Sequence, residues 1–523
     1  MKKITNLRTF LVYLSMVVGM IVLANLVSRR LFFRWDLTEN NIYTLSESSK
    51  AIIAKLDDRL LAKVYFSDNL PGQYANNRRY LQDILEEFQA YSKGRFHFEF
   101  YRPEDDDELE REAQRYGIPP MQLQAIENDR MEIKNVWMGL ALLYEDNREV
   151  LPVIQTTSGL EYELASAIKK LIDIDKRSVG IAADPRWEGK NQNIRRVLGQ
   201  TYDVRTVNLE QPIPADIDLL LVNGVMDSLP TTKLYNLDQF IMSGRPLLLA
   251  QNQVDVDLSQ GRGSRIRSNF PDVVRHYGVD IKPTIVADRI SGQVAVETQR
   301  GIFRMRNMVD YPFFPRIQNF NEEHIVVGGL EVVRMVFASE VTAAIDSSRA
   351  GTARFVPLMT TSDFTAVMSE PFFNFGFENN PIFQQLNGPG RGVAGLLLGE
   401  VTSYFTDQTK PDEAAGFIAS TVGAQLLVIG DGTFFSDESG ANWPENLNLV
   451  LNAVDYLVGD EELIAIRSRE VTTRPLKELS DGTRRSLKWA NIFGPSLLIV
   501  VTGLWRWRSS RKRQAHLEQI YGH

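Results

Sequence analysis

A chain of 523 residues, 44% hydrophobic and 24% charged, has room for roughly three or four structural units, and its composition excludes a wholly disordered, collagenous or many-span membrane protein. The absence of cysteine removes disulfides, thiolate nucleophiles, thiolate-bound zinc and iron–sulfur clusters together. The net charge of −8 is unevenly spread. Residues 1–35 and 484–523 hold fourteen Lys/Arg against one acid, which leaves 44 basic and 65 acidic residues, net −21, for 36–483. So acidic a middle argues against nucleic acid as a partner, and the basic ends point to membrane contact there.

Between Arg8 and Arg29 run 20 uncharged residues, TFLVYLSMVVGMIVLANLVS, which span roughly 30 Å as a helix, the thickness of a bilayer core. A cleavable leader is the competing reading, but the run is longer than its usual apolar stretch and no A-x-A-like site follows. At the other end LKWANIFGPSLLIVVTGLWRW is apolar apart from Lys488 and Arg506, with Trp489, Trp505 and Trp507 at its edges, the positions of interfacial anchors. Within the spans, Ser15 with Gly19 and Ala24 with Ser28 are small residues at i, i+4 that admit a close helix partner, and Gly494 and Pro495 are candidates for the same role. Two spans place both termini on one side. The expected orientation is cytoplasmic termini in the bacterial inner membrane, with the body periplasmic or extracellular, since long domains translocate largely regardless of charge.

After the first anchor (1–35), Thr44 or Ser46 is placed to cap a helix carrying Ile52, Ile53 and Leu56. A strand over Leu60 to Phe66, a helix over 76–92 and the alternating strand RFHFEFY follow. PEDDDELEREAQRYGIPP reads as an acidic helix stopped at Gly117; VWMGLALLY and EVLPVI form a strand pair, and helix 158–172 closes a first α/β domain over 36–176. SVGIAAD, DVRTVNL, DIDLLLVNG and RPLLLAQN then alternate with helix-compatible 189–200 and 231–243. That order predicts a second α/β domain, 177–470, with a doubly wound parallel sheet of flavodoxin-like kind. An irregular insertion at about 257–350, including RGIFRMRNMVDYPFFPR, reads as loops and edge strands, after which RFVPLMT, GVAGLLLGEV, AQLLVIGDG and helix 444–458 complete the sheet. Residues 471–523 are linker, second span and basic tail.

Motifs for chemistry are few. Gly390, Gly392 and Gly395 match G-x-G-x-x-G, but they precede a strand-like run instead of joining a strand to a helix, so a turn is expected. No P-loop occurs, so any ATP binds on another subunit. The five histidines show no H-E-x-x-H spacing and no G-x-S-x-G elbow is present. Asp184 and Asp431 stand at predicted carboxyl ends of strands, where open α/β sheets hold ligands, and are the candidate pocket residues; both also suit turns that bind their own amides. Asp437 and Glu438 are placed to help Asp431 hold a cation. No catalytic residue, cofactor or metal ligand is assigned.

RWDLTENNIYTLSESSKAI, VYFSDNLP, ILEEFQAYS, the LEYELASAIKKL run and AQLLVIGDGTFFSD resemble, in this order, the GldG-like family of auxiliary components of ABC-type transport systems associated with gliding motility. The resemblance covers nearly the whole chain. It implies a non-enzymatic, membrane-anchored subunit acting with an ABC permease and a separate ATP-binding subunit, in contact with membrane lipid and with an envelope protein or cargo. It also implies kinship with a domain of intraflagellar-transport proteins and with glutamine-amidotransferase-like folds, whose cysteine nucleophile this chain lacks. Two other readings stay open: a membrane-tethered enzyme or ligand receptor using a strand-end pocket, and a structural envelope scaffold.

Overall fold

The computed structural model describes residues 13–20, 44–469 and 481–521, apart from 69, 71–73, 75, 128–129, 158, 174–176, 301–302, 346–351, 378–379 and 412–415. It divides at residue 472 into a large unit and a C-terminal unit. The described part of the first helix, α1, is 13–20.

Helix α2 (Glu47–Ala54) starts at Ser46, whose hydroxyl accepts from the Ser49 amide at 3.0 Å. It is followed by β1 (Leu60–Phe66), α3 (Asn77–Tyr91), β2 (Phe96–Tyr101), α4 (Asp107–Arg115), a hairpin of β3 (Met121–Glu127) and β4 (Arg130–Val136), then β5 (Met138–Tyr144), β6 (Asn147–Leu151) and α5 (Leu160–Ile172). The four-stranded sheet runs β2-β1-β5-β6, with β1 parallel to β2 and antiparallel to β5. Period-two alternation in β1 sends Leu60, Ala62, Val64 and Phe66 into one core with α2, α3 and α5. Tyr65 faces the other side with Trp137 and Ala113 of α4, where Lys63 reaches Glu112 at 2.7 Å.

The second sheet starts with β7 (Ser178–Ala182), α6 (Gln192–Leu198), β8 (Asp203–Val207), β9 (Leu219–Asn223), α7 (Thr231–Met242) and β10 (Leu247–Ala250). An excursion follows: β11 (Val254–Asp257), β12 (Arg262–Arg265), α8 (Phe270–Tyr277), β13 (Val279–Ile281), β14 (Thr284–Asp288), β15 (Ser291–Arg300), β16 (Phe303–Ile317), β17 (Asn319–Phe320), β18 (Val333–Arg334) and β19 (Val341–Ala343). The chain continues through β20 (Ala353–Thr360), β21 (Thr365–Ser369), β22 (Phe373–Asn374), β23 (Gly392–Thr402), β24 (Ser420–Ile429), α9 (Pro444–Leu457) and α10 (Glu461–Arg469).

Eight strands pair in the order β17-β20-β23-β24-β10-β9-β7-β8. The five from β24 to β8 are parallel, and numbered by first appearance they give the flavodoxin-like order 2-1-3-4-5. The remaining three pair antiparallel at one edge. The central strands are unbroken apolar runs because both faces are covered. Leu219, Leu221, Leu248 and Leu427 pack under α6 and α9, while Leu220, Val222, Leu247 and Val428 pack under α7 and α8.

The stretch RGIFRMRNMVDYPFFPR lies mostly in β16, a 15-residue strand paired with β15 from Gln293 opposite Asp310 to Arg300 opposite Phe303. It is one arm of a long hairpin where the sequence predicted loops and edge strands. Its base sends Tyr311 and Phe313 into an aromatic core with Phe375 and Ile285. The glycine motif resolves as part of the sheet: Gly392 and Gly395 lie within β23, and the Phe355 ring covers Gly395 where a Cβ would stand.

Having completed the second sheet, the chain returns to the first. Leu463 and Ile466 of α10 join the core of β1 and β5, and Lys55 and Lys169 pair with Glu462 and Asp460 at 2.9 and 3.0 Å.

The C-terminal unit contains α11 (Asp481–Tyr521), 41 residues long. Among the described residues no helix is long and apolar enough to cross a membrane. Most of the predicted first span, with Ala24 and Ser28, lies outside the described residues.

Candidate functional site

In a 2-1-3-4-5 sheet the connections after the first and third strands leave in opposite directions, which opens a crevice outside their carboxyl ends. Here that point lies between β7 and β9. The segment after β7 carries Asp184, whose Oδ1 accepts from the Arg186 amide at 2.9 Å and whose Oδ2 stands 3.4 Å from the Arg186 guanidinium. Asp184 lines a groove of about 380 Å³ together with Trp187, Arg195 and Thr206. The Trp187 indole N–H donates to the Gly224 carbonyl at 3.2 Å, which ties this loop to the end of β9.

Asp431 follows β24, three strand spacings from β7, about 14 Å across the sheet. It is wholly buried and accepts from the Thr433 amide and hydroxyl at 2.8 Å and from the Val336 amide at 2.8 Å. Burial pushes its pKa up to about 6, against the pull of those donors. Asp184 and Asp431 are therefore not brought into one pocket, and Asp431 works as a clamp between two loops. Asp437 does not turn toward it. Its carboxylate accepts from the Gln192 and Asn193 amides at 2.7 and 2.9 Å, at the start of α6, and Glu438 pairs with Lys190 at 3.1 Å. Among the described residues no cluster of His, Asp and Glu could hold a metal ion.

A larger groove, about 1150 Å³, lies beside the first, beyond the carboxyl ends of β7, β9 and β10. Three arginines from two segments line it, Arg186 and then Arg265 and Arg267, with Asp227, Asp255 and Glu370 among the other walls. Its floor is fixed: the Ser268 hydroxyl donates to the Asp227 carbonyl at 2.9 Å, and the Asn269 side chain both accepts from and donates to the Leu229 backbone at 2.9 Å. Sequence reasoning passed over these residues. The signal was the run GRGSRIRSN at 261–269, but nothing local ties it to the end of β9.

Of the anchor residues, Ser15 and Gly19 lie on the described turns of α1, and open space surrounds Gly19 and Gly494 where a Cβ would stand. Pro495 falls within α11.

Residues 176–457, just over half of the chain and nearly all of the second sheet, match the family model described as ABC-type uncharacterized transport system. The chain belongs to that family. Membership in the ABC-type uncharacterized transport system family gives it a role in an ABC transport system. Residues 39–143 match a domain of unknown function. An uncharacterized protein of Borreliella burgdorferi is 24% identical over 506 residues, 92% of this chain and 94% of the relative. Solved structures similar to this family member include the N-terminal domain of mmIFT52, at 12% identity over 54% of this chain and 97% of that one, with a TM-score of 0.32. A ThuA-like protein from Parabacteroides merdae is 13% identical, covers 58% and 94% of the two chains, and has a TM-score of 0.27.

Proposed function

We propose that this chain is a membrane-anchored auxiliary subunit that docks on an ABC permease through its terminal helices, near 9–28 and 488–507, and presents its two α/β sheets to cargo or an envelope partner outside the inner membrane. A separate subunit binds ATP. The observation that carries the reading is the family match, taken with the apolar side chains left uncovered on both terminal helices: Met16, Val18 and Met20 on α1, and Ile492, Ile499 and Trp505 on α11. A row of such residues along a helix is the kind of surface that lipid or other helices cover. ATP-driven motion of the permease reaches the body only if the anchors bind two permease states unequally. A link to gliding motility and the exact cargo belong to the same proposal.

Solubilisation in mild detergent and purification through this chain tests it. Recovery of a permease and an ATP-binding subunit is the expected outcome; recovery of the chain without either contradicts it. The receptor reading retains support from the groove at Asp184, which sits where doubly wound sheets bind ligands.

A further inference from the structure

We propose that the large groove beyond β7, β9 and β10 binds an extended, uncharged glycan strand. This deepens the cargo- and partner-binding role proposed above and rests on it for the ligand's access to the groove.

Shape comes first. Pockets for small molecules enclose roughly 300–1000 Å³ and are mostly apolar. This groove is open, holds about 1150 Å³ and is predominantly polar. It shares Gly263, Pro371 and Phe373 with a second groove of about 630 Å³, so the two form one trough suited to a chain-like, hydrophilic ligand.

Charge selects among polymers. Across the trough Arg186, Arg262, Arg265 and Arg267 stand beside Asp227, Asp255 and Glu370, an excess of one positive charge, so a polyanion gains little net attraction. A protein interface would centre on apolar and aromatic side chains, whereas the larger groove is mostly polar and the exposed ring lies to one side, in the smaller groove. A sugar hydroxyl both donates and accepts, and the trough supplies both counterparts: guanidinium groups that only donate, carboxylates that only accept, and serine hydroxyls that do either. The ion pairs present are long, Arg186 with Asp227 at 3.4 Å and Arg265 with Glu370 at 3.6 Å, and a hydroxyl seated beside either pair is within reach of both partners. Phe372, 81% exposed, lines the second groove and offers a flat apolar face to the C–H side of a pyranose ring.

The full chain, held in a detergent without a sugar headgroup, is titrated calorimetrically with maltohexaose, cellohexaose and chitohexaose, and separately with polyphosphate and an extended acidic peptide. Saturable binding of at least one hexasaccharide is expected, weakened at least about tenfold by Phe372→Ala and by Arg267→Ala. Both side chains are exposed, so the thermal midpoint of each variant should match that of the parent. Absence of saturable heat with all three sugars, or sugar binding that both variants leave intact, overturns the proposal; so does preferential binding of the polyphosphate or the peptide. Co-purification of the permease, read in the same preparations, fails or succeeds independently of sugar binding and so separates this inference from the role it rests on.

Discussion

Arg467 of α10 donates to the Asp455 carboxylate of α9 at 2.8 Å, with side chains 10% and 1% exposed. The same guanidinium reaches the Tyr162 hydroxyl on α5 at 2.6 Å, and Asp455 accepts from the Tyr202 hydroxyl at 2.6 Å. One buried pair thus links α5 and α10, which pack with the first sheet, to α9 and the turn before β8 beside the second. Breaking such a pair strands a charge away from water, which costs about 3–5 kcal/mol, whereas replacing both partners by apolar groups is close to neutral. Arg467→Met should destabilise by that amount in chemical denaturation, and Arg467→Met with Asp455→Leu should recover most of the loss. Equal destabilisation of the single and double variants would show that the pair is not the source.

Asp431 predicts a pH dependence. Burial raises its folded pKa to about 6 from the ordinary 3.8. Between those values the unfolded chain gives up its proton first, so stability contributed by this group falls as pH rises from about 4 to about 6 and is level above. The total is on the order of 3 kcal/mol. Urea midpoints measured across that range should slope downward, and Asp431→Asn should flatten the slope while lowering stability overall, because the amide nitrogen that replaces one carboxylate oxygen donates and leaves either Val336 or Thr433 without an acceptor.

Leu463 is fully buried in the first core although it follows the second sheet in the chain. Leu463→Ala should cost about 2–5 kcal/mol. Hydrogen exchange should locate the loss: amides of β1 and β5 exchange faster, while those of β9 and β10 stay protected. Faster exchange confined to β9 and β10 would contradict the assignment of α10 to the first core.

Gly395 is required by the Phe355 ring, whose Cζ lies 2.1 Å from the position of an added Cβ. Gly395→Ala should destabilise by about 1–3 kcal/mol through overpacking. The Phe355→Leu background should reduce that penalty, and a double-variant cycle with no coupling would rule out the clash.

The chain has no cysteine, so single cysteines report topology without interference. Phe372→Cys should react with a membrane-impermeant maleimide on cells with a permeabilised outer envelope, and Arg508→Cys should not. The reverse pattern would place the body in the cytoplasm.

Apolar runs such as LLLVN and LLLA are legible as buried strands, because a strand covered on both faces has no polar side to show. The apolar spacing of α3 and the alternation of β1 and β2 are likewise local properties, set by periods of 3.6 and 2 residues. The basic, apolar ends and the acidic middle are matters of composition. What the sequence could not supply is which strand ends adjoin. Asp184 and Asp431 each follow an apolar strand and look equivalent in the chain, yet two strands inserted between them put them on different loops, one open to a groove and one sealed in the core. The arginine groove, the return of α10 to the first sheet and the Arg467–Asp455 pair join residues far apart in sequence. Only the tertiary structure decided these, because strand order and helix docking are fixed by the burial of whole faces, and no single segment carries that information.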